Sequence, residues 1–195
     1  MSLVPVFKIG LLNAWILMVI TIAPMIFLPL VMNNEKMNKR SEGEPEGDQL
    51  SKTSRTALII THWILMPIAL IYSVFLPLQI GTVWLYIGSA VCLIAFVMSF
   101  LSIHSFLTAP LGEPMAKGIY AFSRHPAYFS FFLLCGGIGI ACCSWIFLLM
   151  AAIWLVTWHF GVNEEEQMLL EKYGEAYRKY QDKTPRWIGI PKSDK

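Results

Sequence analysis

Charge is what this sequence has least of. Only 14% of its 195 residues are charged, against 56% apolar, and the mean hydropathy is +0.56. A soluble domain carries about 25% charged residues, so a water-soluble enzyme and a disordered tail are both excluded. The shortage is localised. No Asp, Glu, Lys or Arg occurs in residues 9–34 (26 residues), 56–112 (57) or 125–163 (39). The net charge of +2 is small, and no stripe of Lys and Arg interleaved with aromatics is present, which argues against nucleic acid as a partner. Cysteine is scarce too. The four (Cys92, Cys135, Cys142, Cys143) fall in or beside the apolar runs, with neither a CxxC nor a Cys/His ligand spacing. They are read as buried thiols; no metal site and no disulfide framework is expected. No internal repeat is found.

What is present is apolar length. Uncharged apolar runs of about 18 residues or more read as membrane spans, so the chain is read as an all-α integral membrane protein with the lipid bilayer as its solvent. A helix rises 1.5 Å per residue and needs about 20 residues to cross. The first run predicts one span, about 9–31, kinked by Pro24 and Pro29. The second predicts two, about 57–78 and 83–106, turned by Pro77 and Gly81. The third makes about 58 Å of helix, enough for two short spans, with a break near residues 141–144 after the flexible Gly136-Gly137-Ile138-Gly139. Five transmembrane helices result, the last two a short hairpin, followed by a cytoplasmic amphipathic C-terminal helix.

Five spans put residues 32–56, 107–126 and 161–195 on one side. These carry 5, 2 and 7 basic residues, 14 of the 15, leaving Lys8 on the other side. The positive-inside rule makes that side cytoplasmic, with the N-terminus outside and the C-terminus inside. The loop at about 33–55 contains Glu42-Gly43-Glu44-Pro45-Glu46-Gly47-Asp48 and is expected to be mobile.

Two clusters interrupt the apolar pattern on the cytoplasmic side. One is Lys117-Gly118-Ile119-Tyr120, then Ser123-Arg124-His125-Pro126 and Tyr128, directly before the hairpin. The other is Glu164-Glu165-Glu166 directly after it, continuing through Leu169, Tyr173-Gly174, Tyr177 and Tyr180. A hairpin returns its two ends to the same face, so the basic and acidic clusters are expected to be neighbours in space. Alone, Arg124, His125 and Tyr128 also fit an interfacial belt of a snorkelling cation and aromatics. Alone, Asn163-Glu164-Glu165-Glu166 fits a helix start, with Asn as N-cap and acids on the positive end of the dipole.

Taken together and in order, these motifs resemble the isoprenylcysteine carboxyl methyltransferase family, within a wider group that includes the phospholipid methyltransferases. The resemblance covers about residues 113–187, so the chain divides into three helices with a charged loop (1–112) and a methyltransferase core (113–195). It departs from the family at Ser130, where Gly is usual, and at Gly161, where a basic residue is common; His159 lies two residues earlier. The resemblance implies S-adenosylmethionine as cofactor, held at the cytoplasmic end of the hairpin under the C-terminal segment. It also implies a lipophilic methyl acceptor such as an isoprenylcysteine carboxylate, and a prokaryotic plasma membrane. The implied cofactor-binding residues are Lys117, Gly118, Tyr120, Arg124, His125, Pro126, Tyr128, Glu165, Glu166 and Tyr177. Arg124, Glu165 and Glu166 are the implied catalytic residues.

Arg124 and His125 suit a carboxylate. Glu165 and Glu166 suit ribose hydroxyls or positive charge, and Tyr120, Tyr128, Tyr177 and Trp187 suit an adenine. A phospholipid amine, a small lipophilic amine or a thiol stays open as acceptor. An NADPH-dependent membrane reductase with a related helical core, and a non-catalytic scaffold, stay open as other classes. The charge distribution makes one direct prediction. An alkaline-phosphatase fusion at the C-terminus should be inactive and a fluorescent-protein fusion bright; the opposite pattern would reverse the orientation.

Overall fold

The computed structural model describes residues 8–31, 51–52, 55–56, 59–110 and 112–192. Most of the acidic loop lies outside these residues. The described residues form helices and their connections, with no strand among them and one isolated bridge between Asn13 and Pro77. The helices are α1 (Trp15–Val31), α2 (Met66–Val74), α3 (Val83–Thr108), α4 (Pro126–Ala141), α5 (Trp145–Tyr173) and α6 (Glu175–Lys183). A π-helical segment (Ile59–Leu65) leads into α2, and a 3-10 turn spans Gly118–Ala121.

Two helices, α3 with 26 residues and α5 with 29, are long and apolar enough to cross a membrane. The other expected spans correspond to shorter helices. The first starts at Trp15 rather than at residue 9, because Asn13 is occupied elsewhere: its side-chain amide donates to Lys8 O (2.6 Å) and Val74 O (2.7 Å). The second is split into the π segment and α2, where Pro67 removes a backbone donor from the first turn of the new register. The Pro77–Gly81 turn forms as expected, with Gly81 at φ +79°. The hairpin breaks at 142–144, where the Ser144 hydroxyl accepts from Phe147 N and caps α5.

Two expectations are corrected. Asn163 does not open a helix, because α5 runs through it without interruption. Nothing between Gly161 and Glu164 forces a break, and the apolar stretch 145–162 simply continues as polar helix. The amphipathic segment from Glu164 is likewise not one C-terminal helix. It is the end of α5, stopped at Gly174 (φ +53°, N–H to Leu170 O, 2.8 Å), followed by the separate nine-residue α6.

The core lies where α3 packs against α4 and α4 against α5, around Cys92, Ala95, Leu134, Ile138, Phe147 and Ala151. Gly137 and Gly139, expected to loosen the approach to the hairpin turn, sit inside α4. At Gly137 a Cβ would come within 2.7 Å of Cys92 Sγ and 2.9 Å of Gly88 O, and at Gly88 one would run into the backbone of Gly137 and Ala141. Glycine here permits close approach of two helices. The outward faces stay apolar: Leu93, Ile94, Leu149 and Val156 are each at least half exposed. Apolar surface this extensive suits hydrocarbon rather than water.

Gly88→Val should therefore separate α3 from α4 and cost about 1–3 kcal/mol, read as a lower melting temperature in detergent. Gly136→Ala, with nothing within 4 Å of the new Cβ, should be neutral or stabilising. Equal effects of the two would contradict this packing.

Candidate functional site

The dipeptide His125-Pro126 builds the first wall of the site. Proline at the first position of α4 has the φ a helix start needs and no N–H to satisfy. The residue before a proline is pushed out of the helical region, and His125 accordingly has φ −130° and ψ 58°. This turns His125 off the end of α4 toward α5. Tyr128, one turn on, stacks parallel to the imidazole (centroids 5.5 Å, 9°) and also stacks on Trp158 of α5 (3.8 Å, 19°).

The second wall is the polar end of α5. Successive residues project about 100° apart around a helix, and the three consecutive glutamates meet three different partners. Glu164 accepts from the backbone N–H of Ser51 (2.9 Å) and from its hydroxyl. Glu165 accepts from Tyr128 OH (2.7 Å) and lies 3.8 Å from His125 Nδ1. Glu166 points inward, its side chain only 6% exposed, and His125 Nε2 is 3.1 Å from its Oε1. Both ring nitrogens of His125 thus face carboxylates.

Glu166 is the hub. Besides His125 it is approached by Arg124 (3.4 Å) and gripped by Arg186, whose Nε and Nη2 reach its two oxygens at 3.2 and 2.6 Å. Burial alone would raise the pKa of this carboxyl. The hydrogen bonds from His125 and Arg186, with the charge of Arg124, outweigh burial and hold it at about 2. Tyr177 lies almost fully buried beneath, and burial followed by the nearby Glu166 charge pushes its phenol upward.

Arg186 arrives on an extended strap that follows α6 and runs along residues 122–125. Arg124 N donates to Pro185 O (3.0 Å), His125 N to Arg186 O (3.3 Å) and Gly189 N to Phe122 O (3.0 Å). Arg186 also donates to Asn163 Oδ1 at 2.8 Å, which gives Asn163 a partner in place of the expected capping role. Arg124 Nε is buried with no hydrogen-bond partner among the described residues. An unmet buried donor costs about 1–3 kcal/mol, and an incoming acceptor relieves that cost.

Residues 14–184 match the model of a family described as protein of unknown function (DUF1295). The chain belongs to that family. It is also related to the isoprenylcysteine methyltransferases. It is 34% identical over 80 residues to a Protein-S-isoprenylcysteine O-methyltransferase of Schizosaccharomyces pombe, covering 40% of this chain and 32% of the relative. It is 31% identical over 80 residues to the Xenopus laevis protein of the same name, covering 40% and 26%. The similarity therefore spans about a third or less of these relatives' length.

In this DUF1295 chain the fold brings Arg124, His125, Tyr128, Glu165 and Glu166 together, with Tyr177 beside them. Tyr120 is buried under α6, its carbonyl accepting from Tyr180 OH (2.7 Å). Pro126 serves as the helix start. Lys117 is exposed and Gly118 (φ +66°) packs on Ser105, and neither contacts the charged cluster. Ser130 is buried and bonds its own helix at Ala127 O (2.6 Å). Arg186 was not anticipated, because an extended strap has no periodicity to mark it. The one available signal was a lone cation beside Trp187 facing three glutamates in need of counter-charge.

Glu166→Gln should cost about 3 kcal/mol, because Arg124, His125 and Arg186 would then crowd around a neutral group. The melting temperature in detergent reads this loss. The depressed pKa sets the pH dependence. The stabilisation is complete above about pH 4.5 and is lost as pH falls toward 2, because the folded state resists protonation. The wild type should lose stability across that window and Glu166→Gln should lose much less; parallel curves would refute the hub.

Proposed function

We propose that this chain is an integral-membrane methyltransferase that uses S-adenosylmethionine and acts on a lipophilic acceptor at the cytoplasmic boundary, with five helices embedded in the bilayer. The observation that carries the proposal is the meeting of Arg124, His125 and Tyr128 with Glu165 and Glu166 at the open end of the α4–α5 hairpin. The kinship with proteins named as isoprenylcysteine O-methyltransferases supports it.

The donor set fits the cofactor. The unmet Arg124 Nε suits its carboxylate, with Arg186 close by. Glu165, its side chain 35% exposed, is the carboxylate available for ribose hydroxyls or for positive charge. Trp187, whose ring lies against His125, provides aromatic surface for an adenine. When bound, S-adenosylmethionine supplies a methyl group on a sulfonium.

Glu166 is too well paired to move a proton at neutral pH, so its role is to hold Arg124, His125 and the strap in position. A carboxylate acceptor is already ionised at pH 7 and needs no base. Catalysis then rests on alignment of the acceptor and exclusion of water, which the strap and α6 supply as a cover. For an amine acceptor, Glu165 and His125 are the groups placed to accept a proton.

Membranes containing the protein should transfer a labelled methyl group from S-adenosylmethionine to an added S-isoprenylcysteine. Arg124→Ala should lower turnover at least a hundredfold, and Glu165→Gln at least tenfold, in protein that still melts cooperatively. Full activity in both variants would sink this assignment of the site.

A further inference from the structure

The strap after α6 is a closed loop rather than a loose tail. Lys192 N donates to Lys183 O (2.9 Å), so residues 184–191 leave and return at one neck. A Cβ at Gly189 would come within 3.0 Å of Pro185 Cγ, and glycine there lets the two limbs close on each other. Gly189 N–H in turn holds the loop on Phe122 O (3.0 Å). Residues 122–125 directly precede Pro126, the first residue of the apolar helix α4. The loop is thereby fixed at the height where the hairpin ends. Trp187 reaches the outer flank at that height: with Phe129, Phe132, Val156 and Phe160 it lines an apolar groove between α4 and α5.

The exposed surface of the loop does not suit water. Among the described residues from 163 to 192, the large hydrophobic side chains that stand exposed are Ile188 (57%) and Ile190 (90%). Phe122, to which the loop is bonded, is 53% exposed. The adjoining α6 packs its own tyrosines, Tyr177 and Tyr180, inward. Charge surrounds the same loop. Residues 176–192 contain five basic side chains and one acidic, Asp182. Of the five, Arg186 is committed to Glu166. Lys179 and Lys183 share a face of α6 at i, i+4 spacing, and the neck bond brings Lys192 to Lys183; all three are exposed. Exposed apolar residues with a lysine collar suit the interface of an anionic leaflet, where the first enter the headgroup region and the lysines stay at phosphate level.

We propose that this loop is a membrane-interface anchor whose partner is the anionic phospholipid surface at the open end of the hairpin. Phe122, Ile188 and Ile190 enter the headgroup region, and Lys179, Lys183 and Lys192 meet its phosphates. Arg186 and Trp187 belong to the same loop, so seating it on lipid holds Arg186 on Glu166 and keeps the site covered. A leaflet without anionic lipid, or a detergent micelle, leaves the loop freer to lift. The bilayer thus regulates closure of the site. This goes beyond the methyltransferase reading and takes from it only the embedding of the hairpin in a bilayer.

Hydrogen exchange of the full chain, without cofactor, tests this in three environments: nanodiscs of phosphatidylcholine, nanodiscs with equal parts of phosphatidylglycerol, and neutral detergent. The reporters are peptides carrying the bonded amides of His125, Gly189 and Lys192, with Phe147–Trp154 of α5 as the internal reference. In the anionic discs the reporters should exchange at least about fivefold more slowly than in detergent, with the zwitterionic discs between and the reference unchanged. Ile188→Ser combined with Ile190→Ser should lose that protection in every lipid. Lys179→Gln, Lys183→Gln and Lys192→Gln together should abolish the difference between the two discs, as should about 1 M salt in the wild type. These side chains are exposed, so both variants should melt with the wild type in detergent, which separates loss of the anchor from loss of the fold. Equal exchange of the wild type in all three environments, or protection that survives both variants, would overturn the anchor. Protection confined to discs holding two copies would overturn it too and assign the face to a second copy. S-adenosylhomocysteine binding, measured separately, decides the methyltransferase whichever way the loop behaves.

Discussion

The carboxylate of Glu166 joins three stretches of chain. Arg124 and His125 come from the start of α4, Glu166 from the polar end of α5, and Arg186 from the strap that follows α6. A buried carboxylate with fewer partners would be neutralised or expelled toward water. With three donors around it, ionisation becomes favourable, and the two helix ends and the strap are locked at one distance. The strap's backbone bonds to 122–125 hold it alongside these charges. Removing any one partner leaves the others buried and unmatched, so these contacts are expected to fail as a unit.

The same arrangement divides labour between neighbouring acids. Glu166 is spent on architecture. Glu165, one residue earlier and turned about 100° away, remains partly exposed with Tyr128 as its donor. Below the charges the hairpin is aromatic, from Tyr128 and Trp158 through Trp154 to Phe131, and the groove beside it is apolar. A charged, polar cluster thus sits beside an apolar groove.

Much of this was legible in the order of the residues. Three charge-free runs announced the helices, Ser144 and the turn at 77–81 marked breaks, and hairpin topology brought residues 124–128 to 164–166 across 39 intervening positions. What was not legible depended on tertiary contact. Asn163 carries the same local signal whether it caps a helix or sits inside one, and only Arg186 distinguishes the two. The glycines of α4 read as flexibility until Gly88 and Cys92 are seen pressed against Gly137. The expected span at about 57–78 is instead a π segment and a short helix that meet at Pro67, where hydropathy showed one continuous span.

The central claim is that this charged cluster is a binding site for S-adenosylmethionine. Calorimetric titration of the purified, folded chain with S-adenosylhomocysteine, with NADPH as the parallel ligand, tests it most directly. The account predicts micromolar binding of S-adenosylhomocysteine, lost in Arg124→Ala, and no binding of NADPH. Absence of S-adenosylhomocysteine binding by folded protein, or binding of NADPH alone, would contradict it.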